Sequence, residues 1–115
     1  MSDRVTIRLT SIQCTITDEL DGDEIFLKYL GKKIWPRGLY AGMKAGNKDI
    51  GVDIKDVPVS EPLVIELWDY DFLSKNDLLG KFTMTLDDLH GTYQTMLVPT
   101  HMGDVASYTL VWEIL

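Results

Sequence analysis

One cysteine, Cys14, and two histidines, His90 and His101, in 115 residues remove two common ways of holding a small domain together. A lone thiol closes no internal disulfide, and no Cys/His set has zinc-site spacing. The expectation is a single domain over 1–115 that folds on its own core in a reducing, cytoplasmic setting, peripheral at a membrane if it meets one. Long apolar runs are missing too. Hydrophobic residues make up 45% of the chain but come in groups of a few, so no segment reads as a membrane span. The opening "MSDRVTIRL" has no apolar stretch of a secretory signal. Basic residues are outnumbered, 11 against 18 acids, for a net charge of −7. Nucleic acid is therefore not an expected partner, and the surface as a whole repels anionic membranes. No Gly-rich phosphate loop and no Ser-His-Asp order exists, so no catalytic residue is assigned and an enzyme is not expected.

Helical periodicity is weak, and what is present is alternation of period two. Val5, Ile7 and Leu9 alternate with Thr6, Arg8 and Thr10. Ile25, Leu27 and Tyr29 share a face, as do Ile50, Val52 and Ile54, then Leu63, Ile65 and Leu67, then Phe82, Met84 and Leu86. "TMLV" adds a short strand, and Tyr108, Leu110, Trp112 and Ile114 close the chain. Strands this short, punctuated by Gly, Pro, Asp and Asn, predict an all-β antiparallel sandwich. One helical turn is expected over 86–91, "LDDLHG", and a loop over 36–48, which carries three glycines.

Charge is segregated rather than interspersed. Residues 18–24, "DELDGDE", hold five acids and 69–77 hold three, whereas 28–48 hold six basic residues and no acid. Both acidic clusters sit at strand ends, and they share one end of a sandwich if their strands run antiparallel. Two unit charges ~4 Å apart repel by about 4 kcal/mol at an effective dielectric of ~20. A carboxylate cluster of that kind either protonates or holds a cation. An all-oxygen donor set of irregular spacing suits Ca²⁺, which takes roughly six to eight oxygens, better than Zn²⁺. An EF-hand does not account for it. Setting Gly22 at that loop's glycine puts Thr17 at the first ligand position and Lys28 where a bidentate Glu belongs.

The stretch "IELWDYDFLSKNDLLGKFTM" resembles the third calcium-binding loop and following strand of C2 domains, whose pattern is Asp-x-Asp-x5-Asp. Asp69, Asp71 and Asp77 match it, with Ser74, Lys75, Gly80 and Phe82 around them. The first C2 loop pairs an Asp with another six positions on. Asp18 fits the first, and Glu24, ahead of "IFLKY", stands at the second with a longer arm than the usual Asp. Asp23 competes for that place if the register slips by one. The resemblance is specific over 63–86, weaker over 16–30, and absent over 31–62.

What the resemblance implies is an eight-stranded antiparallel C2-like sandwich that binds Ca²⁺ through Asp18, Glu24, Asp69, Asp71 and Asp77. Asp21, Asp23, Tyr70 and Ser74 are additional oxygen donors. Leu20, Phe72 and Leu73 fall at loop tips, which in C2 domains enter a bilayer once calcium neutralises the acids. The implied partner is an anionic phospholipid surface or a protein, with the chain acting as an adaptor or as one piece of an assembly. Alternatively, the site is vestigial and the domain serves calcium-independent protein contacts. Lys32, Lys33, Arg37, Lys44 and Lys48 are a candidate basic patch, against the plainer reading of a solvated face. Trp35, Trp68, Trp112 and Cys14 are read as packing.

Overall fold

The alternation that opens the chain becomes one of its two longest strands. In the computed structural model, which describes residues 3–87, 89–101 and 105–115, β1 runs over Arg4–Ile16 and buries Ile7 and Leu9. Strict alternation would next point Ser11 and Gln13 inward. A bulge between Leu9 and Ser11, felt on both neighbouring strands, adds one residue and flips the phase, so that Ile12 and Cys14 are buried instead.

The remaining strands are β2 (Asp23–Tyr29), β3 (Lys32–Trp35), β4 (Ala41–Met43), β5 (Gly46–Pro58), β6 (Leu63–Asp69), β7 (Asp77–Met84), β8 (Gly91–Met96), β9 (Val98–Pro99) and β10 (Ser107–Ile114). One sheet has the order β5-β1-β10-β8. The other has the order β3-β2-β6-β7-β9, with β4 also paired to β2. Pairing is antiparallel in both sheets. Leaving out the three-residue β4 and two-residue β9, eight longer strands make the sandwich anticipated from the alternation.

Two local expectations differ. The 36–48 loop contains β4 and the start of β5, because its glycines permit edge pairing as well as turns. No helix forms at 86–87 or 89–91, and Asp88 lies outside the described residues. Instead Asp87 Oδ1 accepts the Leu89 N–H at 2.8 Å, a side-chain turn that competes with a helical one.

The core lies between the inner faces: Ile25, Leu27, Ile65, Leu67, Phe82 and Met84 from one sheet meet Ile7, Leu9, Ile12, Leu110 and Trp112 from the other, all buried. Truncating one such Leu to Ala costs about 2–5 kcal/mol. This packing fixes the poles of the molecule. Because β2 pairs antiparallel with β6, with Ile25 opposite Asp69, the 17–22 and 70–76 loops emerge at one pole. The 36–40 loop, leaving β3, joins them there. At the other pole Arg4 pairs with Pro58 and Ile7 with Ile114, while the Leu115 N–H donates to the Thr6 carbonyl.

Candidate metal centre

The acidic loops form one cup. Glu19, Glu24, Asp69, Tyr70, Asp71, Phe72, Ser74, Lys75 and Asp77 line an open hollow of about 400 Å³. Five carboxylates thus face one ammonium. Asp69 is the last residue of β6 and Asp77 the first of β7, and they are register partners. A strand's alternation puts Asp69 on the face of Ile65 and Leu67, which buries it to 7% exposure. Its Oδ1 accepts the Glu24 N–H at 2.9 Å, and Tyr70 N–H donates to the Glu24 carbonyl. These bonds stitch the two loops together.

Burial is the main reason the Asp69 carboxyl titrates high, at about 6. The nearby Glu19, Asp23 and Glu24 push it the same way, and the bond from Glu24 opposes them. Glu19 is also raised, by desolvation and by its acidic neighbours. Asp71 behaves oppositely. Its oxygens accept the Leu73 N–H at 2.8 Å and the Ser74 hydroxyl at 2.8 Å, which hold it below the usual carboxylate range. The Asp71 N–H in turn donates to Asn76 Oδ1. These local bonds give the 70–76 loop its shape without help from the core.

Of the residues singled out in the sequence, Glu24, Asp69, Tyr70, Asp71, Ser74 and Asp77 all line the cup. Asp18 is not among the lining residues; it is half-buried and its N–H donates to Asp23. Glu19 stands there instead. Oxygens of Glu19, Asp23 and Asp69 lie within 4.8 Å of one another. No spacing rule singles out Glu19 within "DELDGDE", because the path of the loop decides which acid faces inward. Asp23 is 1% exposed and engaged by internal hydrogen bonds. Asp21 is exposed and lines a neighbouring hollow with Gly22, Asp23, Glu24, Tyr40, Gly42, Met43 and Lys44.

The rim is apolar. Leu20, Phe72 and Leu73 are 110%, 72% and 88% exposed. Tyr40, which sequence reasoning passed over, stacks on Tyr70 at 5.4 Å, and Tyr70 contacts Phe72 at 6.3 Å. This aromatic line ties the 36–40 loop, with its exposed Leu39, to the cup. The basic residues are dispersed. Lys32 and Lys33 lie on β3, where Lys33 Nζ donates to the Gly38 carbonyl. Arg37 is in the 36–40 loop and Lys44 beside the second hollow. Lys48 belongs to β5 in the other sheet, opposite Ile12. Lys28 sits over the Trp68 ring at 4.5 Å, and Trp68 stacks on Phe26.

The donor set fits a hard divalent cation. It is all oxygen, anionic and open to solvent on one side, as Ca²⁺ requires. Cys14, His90 and His101 do not line the cup.

Residues 47–99 match the family model described as C2 domain, which includes 47–62, where the sequence resemblance had given nothing. Among solved structures, the chain is similar to a C2 domain of a plant Extended Synaptotagmin 1, at TM-score 0.60 and 15% identity, covering 96% of this chain and 91% of that one. A structure described as a C2 domain superposes at TM-score 0.55 and 11% identity, covering 96% and 97%. A structure described as BON1-C2B gives TM-score 0.50 at 16% identity, covering 98% and 94%. Among curated proteins no sequence match is found. No helix among the described residues is long and apolar enough to cross a membrane.

Proposed function

We propose that this chain, whose residues 47–99 match the C2 domain model, is a calcium-dependent C2 module that docks on anionic phospholipid through the acidic cup. C2 domains are in general calcium, lipid or protein-interaction modules rather than enzymes. The observation that carries the finer reading is the union of five carboxylates in one cup with an apolar rim on the same loops. Glu19, Glu24, Asp69, Asp71 and Asp77 would hold the ion. Calcium supplies positive charge that cancels their mutual repulsion and leaves coordination positions for anionic headgroup oxygens. Phe72 and Leu73 then enter the apolar layer, each contributing roughly 1.5–3 kcal/mol on burial.

The test is a calorimetric calcium titration of the chelator-stripped protein, beside an Asp69→Asn/Asp71→Asn double variant. Sedimentation with phosphatidylserine-containing vesicles, with and without calcium, follows. Saturable heat lost in the variant, with calcium-dependent pelleting, supports the reading. A flat trace at millimolar calcium sinks it and leaves calcium-independent protein contacts as the alternative. Heat without pelleting keeps the ion and moves the docking partner from lipid to protein.

A further inference from the structure

The carboxylate at the entrance of β2 does something other than line the cup. Asp23 Oδ2 accepts the Asp18 N–H at 2.9 Å and the Tyr108 hydroxyl at 2.5 Å, and Oδ1 accepts the Glu19 N–H at 3.0 Å. A carboxylate offers about four lone-pair sites, so three are spent on fixed donors while the side chain is 1% exposed. Two of those donors belong to the loop itself. The loop closes further through the Gly22 N–H on the Glu19 carbonyl at 3.2 Å. Asp18 and Glu19 are thus wrapped around the Asp23 carboxylate as a hub.

A hub positions a loop only if something outside the loop holds the hub. Tyr108 is that reference. It belongs to β10 in the opposite sheet, is 1% exposed, and is register partner to Cys14 on β1. Cys14, itself buried, stands beside Tyr108 across the β1–β10 pairing. A line of contacts therefore runs from β1 through Cys14, Tyr108 and Asp23 to the backbone of Asp18 and Glu19. At its end the Glu19 carboxylate is brought within 4.8 Å of an Asp69 oxygen.

We propose that Tyr108 is a positioning residue for the cup: through the Asp23 hub, its buried hydroxyl sets the path of the first acidic loop and so presents Glu19 beside Asp69. Tyr108 touches no ion in this arrangement. The functional consequence rests on the calcium reading above, while the loop-setting role is independent of any ion and is read in the metal-free protein.

The experiment uses Tyr108→Phe, which removes one oxygen and keeps the ring, and Asp23→Asn, which keeps the shape of the hub but loses one of its acceptors. In the metal-free state, amide hydrogen exchange at Asp18 and Glu19 is expected to accelerate about tenfold or more in either variant, the size of a lost hydrogen bond to a charged group. Unchanged exchange at both amides in both variants overturns the proposal. With calcium titrated calorimetrically, Tyr108→Phe is expected to weaken affinity about tenfold. Ile114→Val, a core truncation on the same strand at the far pole, lowers the melting temperature and leaves affinity unchanged. A Tyr108→Phe protein that melts lower but binds calcium like its parent also overturns the proposal, since its hydroxyl would then be serving stability alone. If the parent itself gives no calcium heat, the calcium reading falls and the exchange rates alone decide the loop-setting role.

Discussion

Asp69 and Asp77 are register partners on the rung where β6 passes into β7, so the loop between them begins and ends on a carboxylate. The first is buried and the second exposed. Their roles in the metal-free protein therefore differ: charge at Asp69 is opposed by desolvation, and charge at Asp77 is solvated.

Asp69→Asn should stabilise the metal-free protein at neutral pH, by on the order of 1 kcal/mol, because a neutral amide escapes the cost of burying charge among acids. Its oxygen still accepts the Glu24 N–H. Calcium uptake should be lost in the same variant. Asp77→Asn should weaken calcium binding with little change in metal-free stability. Thermal melts with and without chelator read both; a destabilised metal-free Asp69→Asn protein would contradict the account.

The pH dependence follows from the same residue. In the fold the Asp69 carboxyl titrates at about 6, above its ordinary 3.8, so the native state holds its proton more tightly than the unfolded chain. The resulting stabilisation is complete below about pH 4 and lost as pH rises through about 6. The lowered Asp53, bonded to Arg8, and Asp71 act with opposite sign, but their contribution disappears only as pH falls below the ordinary carboxylate range. Metal-free melts between about pH 4.5 and pH 7 should therefore show falling stability, and saturating calcium should remove the trend. A rising curve in chelator would be the wrong sign.

How far the sequence reached can be judged from these residues. Asp69, Asp71 and Asp77, picked out by the resemblance of their loop to the third C2 loop, line one cup because they sit within nine residues of a single strand connection. Most strands were legible from their alternation; the exceptions were 36–48, where β4 and the start of β5 were read as loop, and the Leu9–Ser11 bulge, where one extra residue moved Ile12 and Cys14 to the core face. Glu19 and Tyr108 were not legible. Which acid of "DELDGDE" faces the cup depends on a hub buried against the opposite sheet, and its partner in the hub is 85 positions away. The stacking of Tyr40 on Tyr70 was hidden likewise, since it joins loops separated by β4, β5 and β6.

Gly22 gives a prediction for the loop itself. It adopts φ +101°, and a Cβ there would stand 2.8 Å from the Met43 carbonyl oxygen. Gly22→Ala should cost about 1–3 kcal/mol in urea unfolding and weaken calcium binding. Gly38→Ala, at the same pole with open space around it, should do neither. Equal behaviour of the two would mean that the turn does not constrain the loop.

For the rim, Phe72→Ala/Leu73→Ala should leave the calcium isotherm intact, because the Leu73 N–H bond to Asp71 is made by the backbone. Vesicle affinity in calcium should drop by about a hundredfold or more, from roughly 1.5–3 kcal/mol per side chain. Undiminished pelleting would show that contact is made by charge without insertion.

The pole where β1 starts and β10 finishes has a practical meaning for any such assay. With Arg4 paired to Pro58 and Ile7 to Ile114, a handle placed beyond either strand end leaves the molecule at the pole opposite the acidic cup. A protein captured on a chip by such a handle faces a flowing vesicle with its cup outward, whichever end carries the capture tag.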